Sequence, residues 1–451
     1  MNTSRRQFLR NGALFGGALG FQPFLLNDKL NAAEPGDNKK LIFIFQRGGN
    51  DGINTIIPRG DSEYNTTNRP SLYLPESDSL DLGNGFAQLN SAMTPMMSLY
   101  NSSQLTGTAG PGNLAVIHRV GYANQSRSHF DSQGYWEKGV PRDKSVKDGL
   151  FYRQLAKTRD ITSPENAFIA ASISGSQLEA LQGEHPFPNF READDFAFLG
   201  DDDQKSKFLG ELPSALKDHG KGVRGLYSTP SSLRNSRYAD LVNQTGQAMS
   251  NTLGTLKSAV NQGPYVPANG AVYPDGSLGE KLMEAAMLMK RTPVRVVGVN
   301  KGGFDTHGNQ GGVDGKHGDL LGDIAQGFQA LYLDLQDQWE DIIVVTMTEF
   351  GRTSKENGGG GTDHAEASTM FVGGGGVNGG VYNCDSTTWS DGDMFSKRGR
   401  YLARVTDFRA IFGEIFTKHF GNETALLDSV MPGYREAADD VPGDFRQLGI
   451  L

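Results

Sequence analysis

Four apolar runs in this chain stop within a few residues of a carboxylate or an imidazole. Run 41–45 leads into Gly48-Gly49-Asn50-Asp51, run 294–299 into Phe304-Asp305-Thr306-His307, and run 342–348 into Glu349, while run 369–372 comes just after Asp363-His364. Oxygen and imidazole groups are the donors a divalent cation takes, Zn first, with Mn, Mg or Ca also served by oxygen-rich sets. Asp51, Asp305, His307, Glu349, Asp363 and His364 are therefore the candidate metal ligands. Residues two apart point the same way on an extended backbone, so Asp305 and His307 can reach one ion from a strand-like loop. Each part has a plainer reading that the local sequence leaves open. Asp51 suits a turn or a helix cap, and Glu349 suits a salt bridge with Arg352 on a rim, in which case no metal need bind.

A second group of reactive side chains lies in Ser126-Arg127-Ser128-His129-Phe130, just ahead of a stretch with helical spacing that opens near Asp131. A hydroxyl at a helix start is either a cap or a nucleophile, because the same exposed amides and positive dipole end also attract an anion such as phosphate. Ser128, with Ser126 as the alternative, is the candidate nucleophile, and His129 belongs to the same catalytic set. Arg352 or Arg127 supplies positive charge for a transferred group.

The runs that precede these groups read as buried strands, and ligand groups at the ends of parallel strands converge on one crevice. Leu278, Leu282, Ala285, Ala286 and Met289 fall at helical spacing before Pro293, and Leu320, Leu321, Ile324, Phe328, Leu331 and Leu335 do so before run 342–345. Helix, strand, helix, strand is the pattern of a parallel sheet. Further strands are expected at 114–118 and 167–173 and helices at 89–100, from 131 to 139 and at 407–419, with 59–85 as loop. From 183 to 264 the sequence is polar and irregular, which suggests an insertion or cap on the core.

The 451 residues carry a net charge of −9 with no basic stripe, so a nucleic-acid partner is not expected. Cys384 is the only cysteine, which excludes an internal disulfide. The N-terminus reads as a twin-arginine signal over 1–33: Ser4-Arg5-Arg6-Gln7-Phe8-Leu9, an uncharged stretch at 11–26, and Asn31-Ala32-Ala33 as a small-residue cleavage site. The apolar stretch is short and glycine-rich against the ~20 residues of a membrane span, so no stable span is expected. Such a signal implies engagement of the twin-arginine translocase and a periplasmic or extracellular destination.

Taken together, Gly48-Gly49-Asn50-Asp51-Gly52, Ser126-Arg127-Ser128-His129-Phe130-Asp131, Gly303-Phe304-Asp305-Thr306-His307, Thr348-Glu349-Phe350-Gly351-Arg352 and Gly361-Thr362-Asp363-His364 resemble a group of twin-arginine-exported bacterial proteins of unknown function in the alkaline phosphatase and sulfatase superfamily. The resemblance implies an α/β sandwich, with a central, mostly parallel sheet, helices on both faces, and a single domain over 38–440 interrupted by 183–264. It makes Asp51 the metal ligand of the first strand, Ser128 or Ser126 the nucleophile, and Asp305 with His307 ligands of one ion. Glu349 falls near the Asp of the superfamily's Asp-His pair, and His364 takes the place of its late histidine. Two departures stand out: Phe350 occupies the imidazole position of that pair, and the Asp305–His307 spacing is shorter than usual. They suggest a single metal, a different one, or none. Cys384, in Asn383-Cys384-Asp385-Ser386, lacks the Pro and Arg of the superfamily's sulfatase motif, which disfavours a sulfatase. Two functions follow from different classes: an exported metal-dependent hydrolase of small-molecule or polysaccharide phosphate or related esters, and a degenerate relative that binds carbohydrate or a partner protein without catalysis.

Overall fold

Leu41, Phe43 and Phe45 alternate with Ile42 and Ile44, so a strand through them must bury both faces. The computed structural model, which describes residues 38–102, 112–163, 166–185, 187–193 and 239–451, gives each face its own core. Leu41, Phe43 and Phe45 pack in one apolar cluster and Ile42 and Ile44 in another. The expected export signal, and most of the expected insertion, lie outside the described residues.

The strands in chain order are β1 (Lys40–Gln46), β2 (Ile56–Pro58), β3 (Ser79–Asp81), β4 (Ala87–Asn90), β5 (Leu114–Gly121), β6 (Ala170–Ile173), β7 (Asn189–Phe190), β8 (Val296–Lys301), β9 (Ile342–Met347), β10 (Ser368–Gly374), β11 (Gly380–Tyr382) and β12 (Thr406–Asp407). The main helices are α1 (His129–Lys138), α2 (Leu150–Thr158), α3 (Ala239–Val260), α4 (Ser277–Arg291), α5 (Lys316–Asp334) and α6 (Phe408–Glu414). The central sheet runs β11-β5-β10-β9-β1-β8-β6-β7, with β12 also on β5. All its pairings are parallel except those of β10, which lies antiparallel between β9 and β5. The expected mostly parallel α/β sheet is therefore present. A small antiparallel sheet, β2-β4-β3, sits apart from it.

The sheet is a sandwich filling. Leu282, Ala285, Ala286 and Met289 of α4, and Leu321, Ile324, Phe328 and Leu331 of α5, pack against one face. Trp136 of α1, Phe151 and Leu155 of α2, and Phe408 and Phe412 of α6 cover the other, with Trp136 stacked on Phe408 at 4.1 Å. Each such side chain contributes roughly 1.5–3 kcal/mol on burial, which is the stabilisation a chain without disulfides must rely on.

Several elements differ from the sequence expectation. The helix expected at 89–100 is split: β4 ends at Asn90, whose side chain caps a 3-10 stretch, and only Met97–Tyr100 is α-helical. Pro95 lies inside that stretch, and proline has no N–H to give a regular helix. The expected loop 59–85 holds β3. Within 183–264, β7 extends the central sheet, and Leu256 and Ala259 of α3 join its core. No helix among the described residues is long and apolar enough to cross a membrane.

Register then sets the position of the site. Leu41 of β1 lies beside both Val296 of β8 and Ile343 of β9, so the three strands end at the same level. Beyond β1 the chain turns at Gly48, whose φ of +121° is open in practice to glycine alone. A Cβ there would stand 2.2 Å from the backbone nitrogen of Asp305. Gly48→Ala is expected to destabilise the fold by roughly 2–4 kcal/mol through backbone strain and overlap. An unfolding midpoint equal to wild type in a denaturant titration would refute this account of the turn.

Candidate metal centre

Three loops meet above these strand tips. The β8 loop is pinned by Phe304, fully buried, and then presents Asp305 and His307. The loop from β9 returns as a short antiparallel extension in which Arg352 bridges to His364, delivering Asp363 and His364 ahead of β10. Because β10 runs against its neighbours, its beginning lies at the same edge as the ends of β1, β8 and β9. The third contribution comes after β5, where Ser128 is the N-cap of α1 and His129 its first residue.

Four side chains cluster there. Asp305 Oδ1 lies 3.2 Å from His364 Nε2 and 3.2 Å from His307 Nε2, and Asp305 Oδ2 lies 3.4 Å from His129 Nε2. The Nε2 atoms of His307 and His364 are 2.9 Å apart. One ligand atom each from His129, Asp305 and His364 falls within 4.8 Å of the others.

The far side of each imidazole is already committed. His129 donates through Nδ1 to Glu349 Oε1 (2.8 Å), His307 through Nδ1 to Asp363 Oδ1 (3.2 Å), and His364 through Nδ1 to the Arg127 carbonyl (2.8 Å). A neutral imidazole that donates through Nδ1 keeps a lone pair on Nε2. All three lone pairs thus face the Asp305 carboxylate, the outer-partner pattern of metal-binding histidines. Two facing lone pairs 2.9 Å apart repel unless positive charge lies beside them, and buried His129 Nε2 has no hydrogen-bond partner. Donor atoms about 2.0–2.2 Å from a tetrahedral ion stand roughly 3.3–3.6 Å from each other, close to the spacings seen here. The donor set therefore fits a divalent cation.

Local charge holds the acid ionised and acts on two of the imidazoles in opposite directions. Burial works to raise the Asp305 carboxyl, but the hydrogen bond and positive charge of Arg352 oppose it, and the group is held down at about 2. The Glu349 hydrogen bond raises His129, whereas burial lowers His364 and favours its neutral form.

Other expected site residues sit elsewhere. Asp51 is buried and joined in both oxygens to Arg69, at 2.7 and 3.2 Å, so its carboxylate is an ion-pair partner and not a ligand of this cluster. Glu349 does not pair with Arg352. It is fully buried behind His129, and its Oε1 also accepts from the Gly48 amide and from Gln133. Asp363 likewise backs His307. Arg352 is buried with its guanidinium on the carbonyls of Gly48, Gly49, Phe304 and Thr362 and on Asp305 Oδ1 at 2.7 Å, so its donors are committed to protein groups. Ser128 is exposed and makes no side-chain cap bond, while Ser126 Oγ accepts from the Ser128 amide. Arg127 is exposed and held by Tyr401 (2.8 Å). Phe350 lies beneath the site, its ring 4.9 Å from that of His129 and 4.5 Å from that of His364. Cys384 is buried, which pushes its thiol up.

Sequence reading passed over Gln133, Arg69 and Gln310. Gln133 was open to discovery, since it lies four residues after His129 on one helix face. Its Oε1 accepts from Arg47 (2.8 Å), which turns its amide NH₂ toward Glu349.

With this geometry in place, comparison gives a family without a function. Residues 38–397 match the family described as protein of unknown function DUF1501, and the chain belongs to it. No curated protein matches. Among solved structures, it is similar to a histidine-to-glutamate mutant of TAB5 alkaline phosphatase with Mg bound, at 8% identity and a TM-score of 0.28, over 77% of this chain and 95% of that one.

The Asp51–Arg69 pair has a measurable pH signature. Burial opposes ionisation of Asp51, yet Arg69 outweighs it and holds the carboxyl at about 2 against 3.8. A depressed carboxyl stabilises the fold above its unfolded pKa and loses that contribution as pH falls. About 2 kcal/mol should disappear between pH 4 and pH 2. Asp51→Asn is expected to lose roughly 3 kcal/mol at pH 7, because Arg69 is left buried without its partner, and to show a shallower decline below pH 4. Parallel stability curves for the two proteins over that range would contradict the assignment.

Proposed function

We propose that this protein is an exported, metal-dependent hydrolase of phosphate or related esters. The observation that carries the reading is the convergence of three imidazole lone pairs on Asp305, each imidazole fixed from behind by a carboxylate or carbonyl. His129, His364 and Asp305 would hold the ion, with His307 beside them. A bound divalent cation supplies Lewis acidity to an ester oxygen and favours deprotonation of a nearby hydroxyl or water.

The protein's own groups complete the assignment. Ser128, exposed at the start of α1 next to His129, offers the attacking hydroxyl. The free amides of that helix end attract the anionic group of the ester. Arg127, exposed and directly before Ser128, offers a positive charge, and Arg352 acts from within by keeping Asp305 ionised and aligned. Phe350 excludes water from below. The N-terminal Arg5-Arg6 motif supports export by the twin-arginine route to a periplasmic or extracellular location.

Protein purified after native export should contain close to one Zn, Mn, Mg or Ca per chain by elemental analysis, and His364→Ala and His129→Ala should each lose it. Ser128→Ala should retain the metal and lower the turnover of aryl phosphate mono- or diesters by 100-fold or more. Metal-free protein with no hydrolysis across a phosphate and sulfate ester panel would defeat the proposal, and metal without turnover would favour a binding protein. Replacing Arg5 and Arg6 together by Lys should leave the precursor in the cytoplasm on fractionation. Undiminished export of that variant would remove the twin-arginine assignment.

A further inference from the structure

We propose that Gln310 is a positioning residue of the metal centre, a clamp that fastens the loop bearing Asp305 and His307 to the loop bearing His364. The inference rests on the metal-centre reading above. Gln310 is fully buried and is not itself one of the candidate ligands. Its Nε2 donates to Asp51 Oδ2 at 2.6 Å. An ionised carboxylate offers only acceptors, so this contact fixes which way round the amide sits and turns Oε1 to the opposite side. There Oε1 accepts from Thr306 Oγ1 at 2.9 Å and from Thr362 Oγ1 at 2.7 Å.

Those two threonines are where a clamp would act. Thr306 lies between Asp305 and His307, and Thr362 lies two residues before His364. The loops are already joined by backbone bonds, from the Thr362 amide to the Thr306 carbonyl at 3.1 Å and from the Asn309 and Gln310 amides to the Gly359 and Gly360 carbonyls at 2.9 Å each. To these Gln310 Oε1 adds a side-chain acceptor shared by both loops, placed beside the residues that carry Asp305, His307 and His364. The anchor behind the clamp is Asp51, itself gripped by Arg69, whose Nε and Nη2 hold the Ser354 and Thr353 carbonyls. This gives Asp51, displaced from the ligand set, a function at the same site: it orients Gln310, and Gln310 sets the distance between Asp305 and His364.

The test uses the full-length mature protein, stripped of metal and titrated with Co(II) alone. Gln310→Met keeps length while removing both hydrogen-bonding ends. It should weaken Co(II) binding by about 10-fold, the low end of the loss when a group bonded directly to a ligand is removed, and alter the visible absorption of the Co(II)-saturated protein. Thr306→Val and Thr362→Val should each weaken binding. In the double-valine background Gln310→Met should add less than about twofold, because residues acting as one unit are not additive. A purely structural role would lower the unfolding temperature of the metal-free protein and leave the Co(II) spectrum unchanged. Co(II) affinity within twofold of wild type and an unaltered spectrum for Gln310→Met, or its full effect persisting in the double-valine background, would overturn the clamp. Should Gln310→Met fail to fold, the two valine variants decide: unchanged affinity in both overturns it. Wild-type protein that takes up no Co(II) overturns the metal-centre reading and the clamp together.

Discussion

A single buried guanidinium holds together the edge of this sheet at which the histidines and Asp305 gather. Arg352 has five N–H donors in a rigid fork, and here they reach carbonyls of Gly48 and Gly49 after β1, Phe304 after β8 and Thr362 before β10, together with the carboxylate of Asp305. Each of those segments carries unpaired backbone oxygens out of the sheet, and buried carbonyls without partners would be costly. Arg352 satisfies them and simultaneously neutralises the acid around which the histidines gather. A lysine has neither the reach in several directions nor the planar geometry to do both.

Around that centre the chemistry is layered. Carboxylates or carbonyls stand behind the imidazoles, imidazoles stand around Asp305, and Phe350 forms an apolar floor beneath His129 and His364. The absence of an imidazole at position 350 does not empty the site of nitrogen donors, because His129 arrives from α1 to face the same carboxylate. The superfamily resemblance gave Glu349 a place in the ligand layer and Phe350 the place of a lost ligand. The folded chain puts the acid one layer back and draws its histidine from a different element.

Legibility of the fold and of the site differed for physical reasons. The strands β1, β8 and β9 were readable because a strand buried on both faces is apolar at both parities, and α4 and α5 because one face of each is apolar at helical spacing. The helix expected at 89–100 was misread because apolar spacing says nothing of Pro95 or of the cap at Asn90 until the backbone is followed. Asp305 and His307 announced themselves by following a strand-like run, and His364 by preceding one. Arg69 and Gln310 did not, since a buried arginine in a loop-rich stretch and a glutamine before a glycine look like any surface polar residue in one dimension.

The amino-acid order by itself determined which segments must be covered by protein on both sides and which polar groups would emerge at their ends, because side-chain hydrophobicity and its period are local properties. Pairing was decided only in three dimensions. Asp51 and Asp305 each leave a strand after glycines, and nothing local distinguishes them. Arg69 happens to lie against the first and captures it, whereas three imidazoles and Arg352 surround the second. Ion pairing acts over a few ångströms whatever the separation along the chain, so the partner that tertiary packing brings within reach fixes the role of each acid.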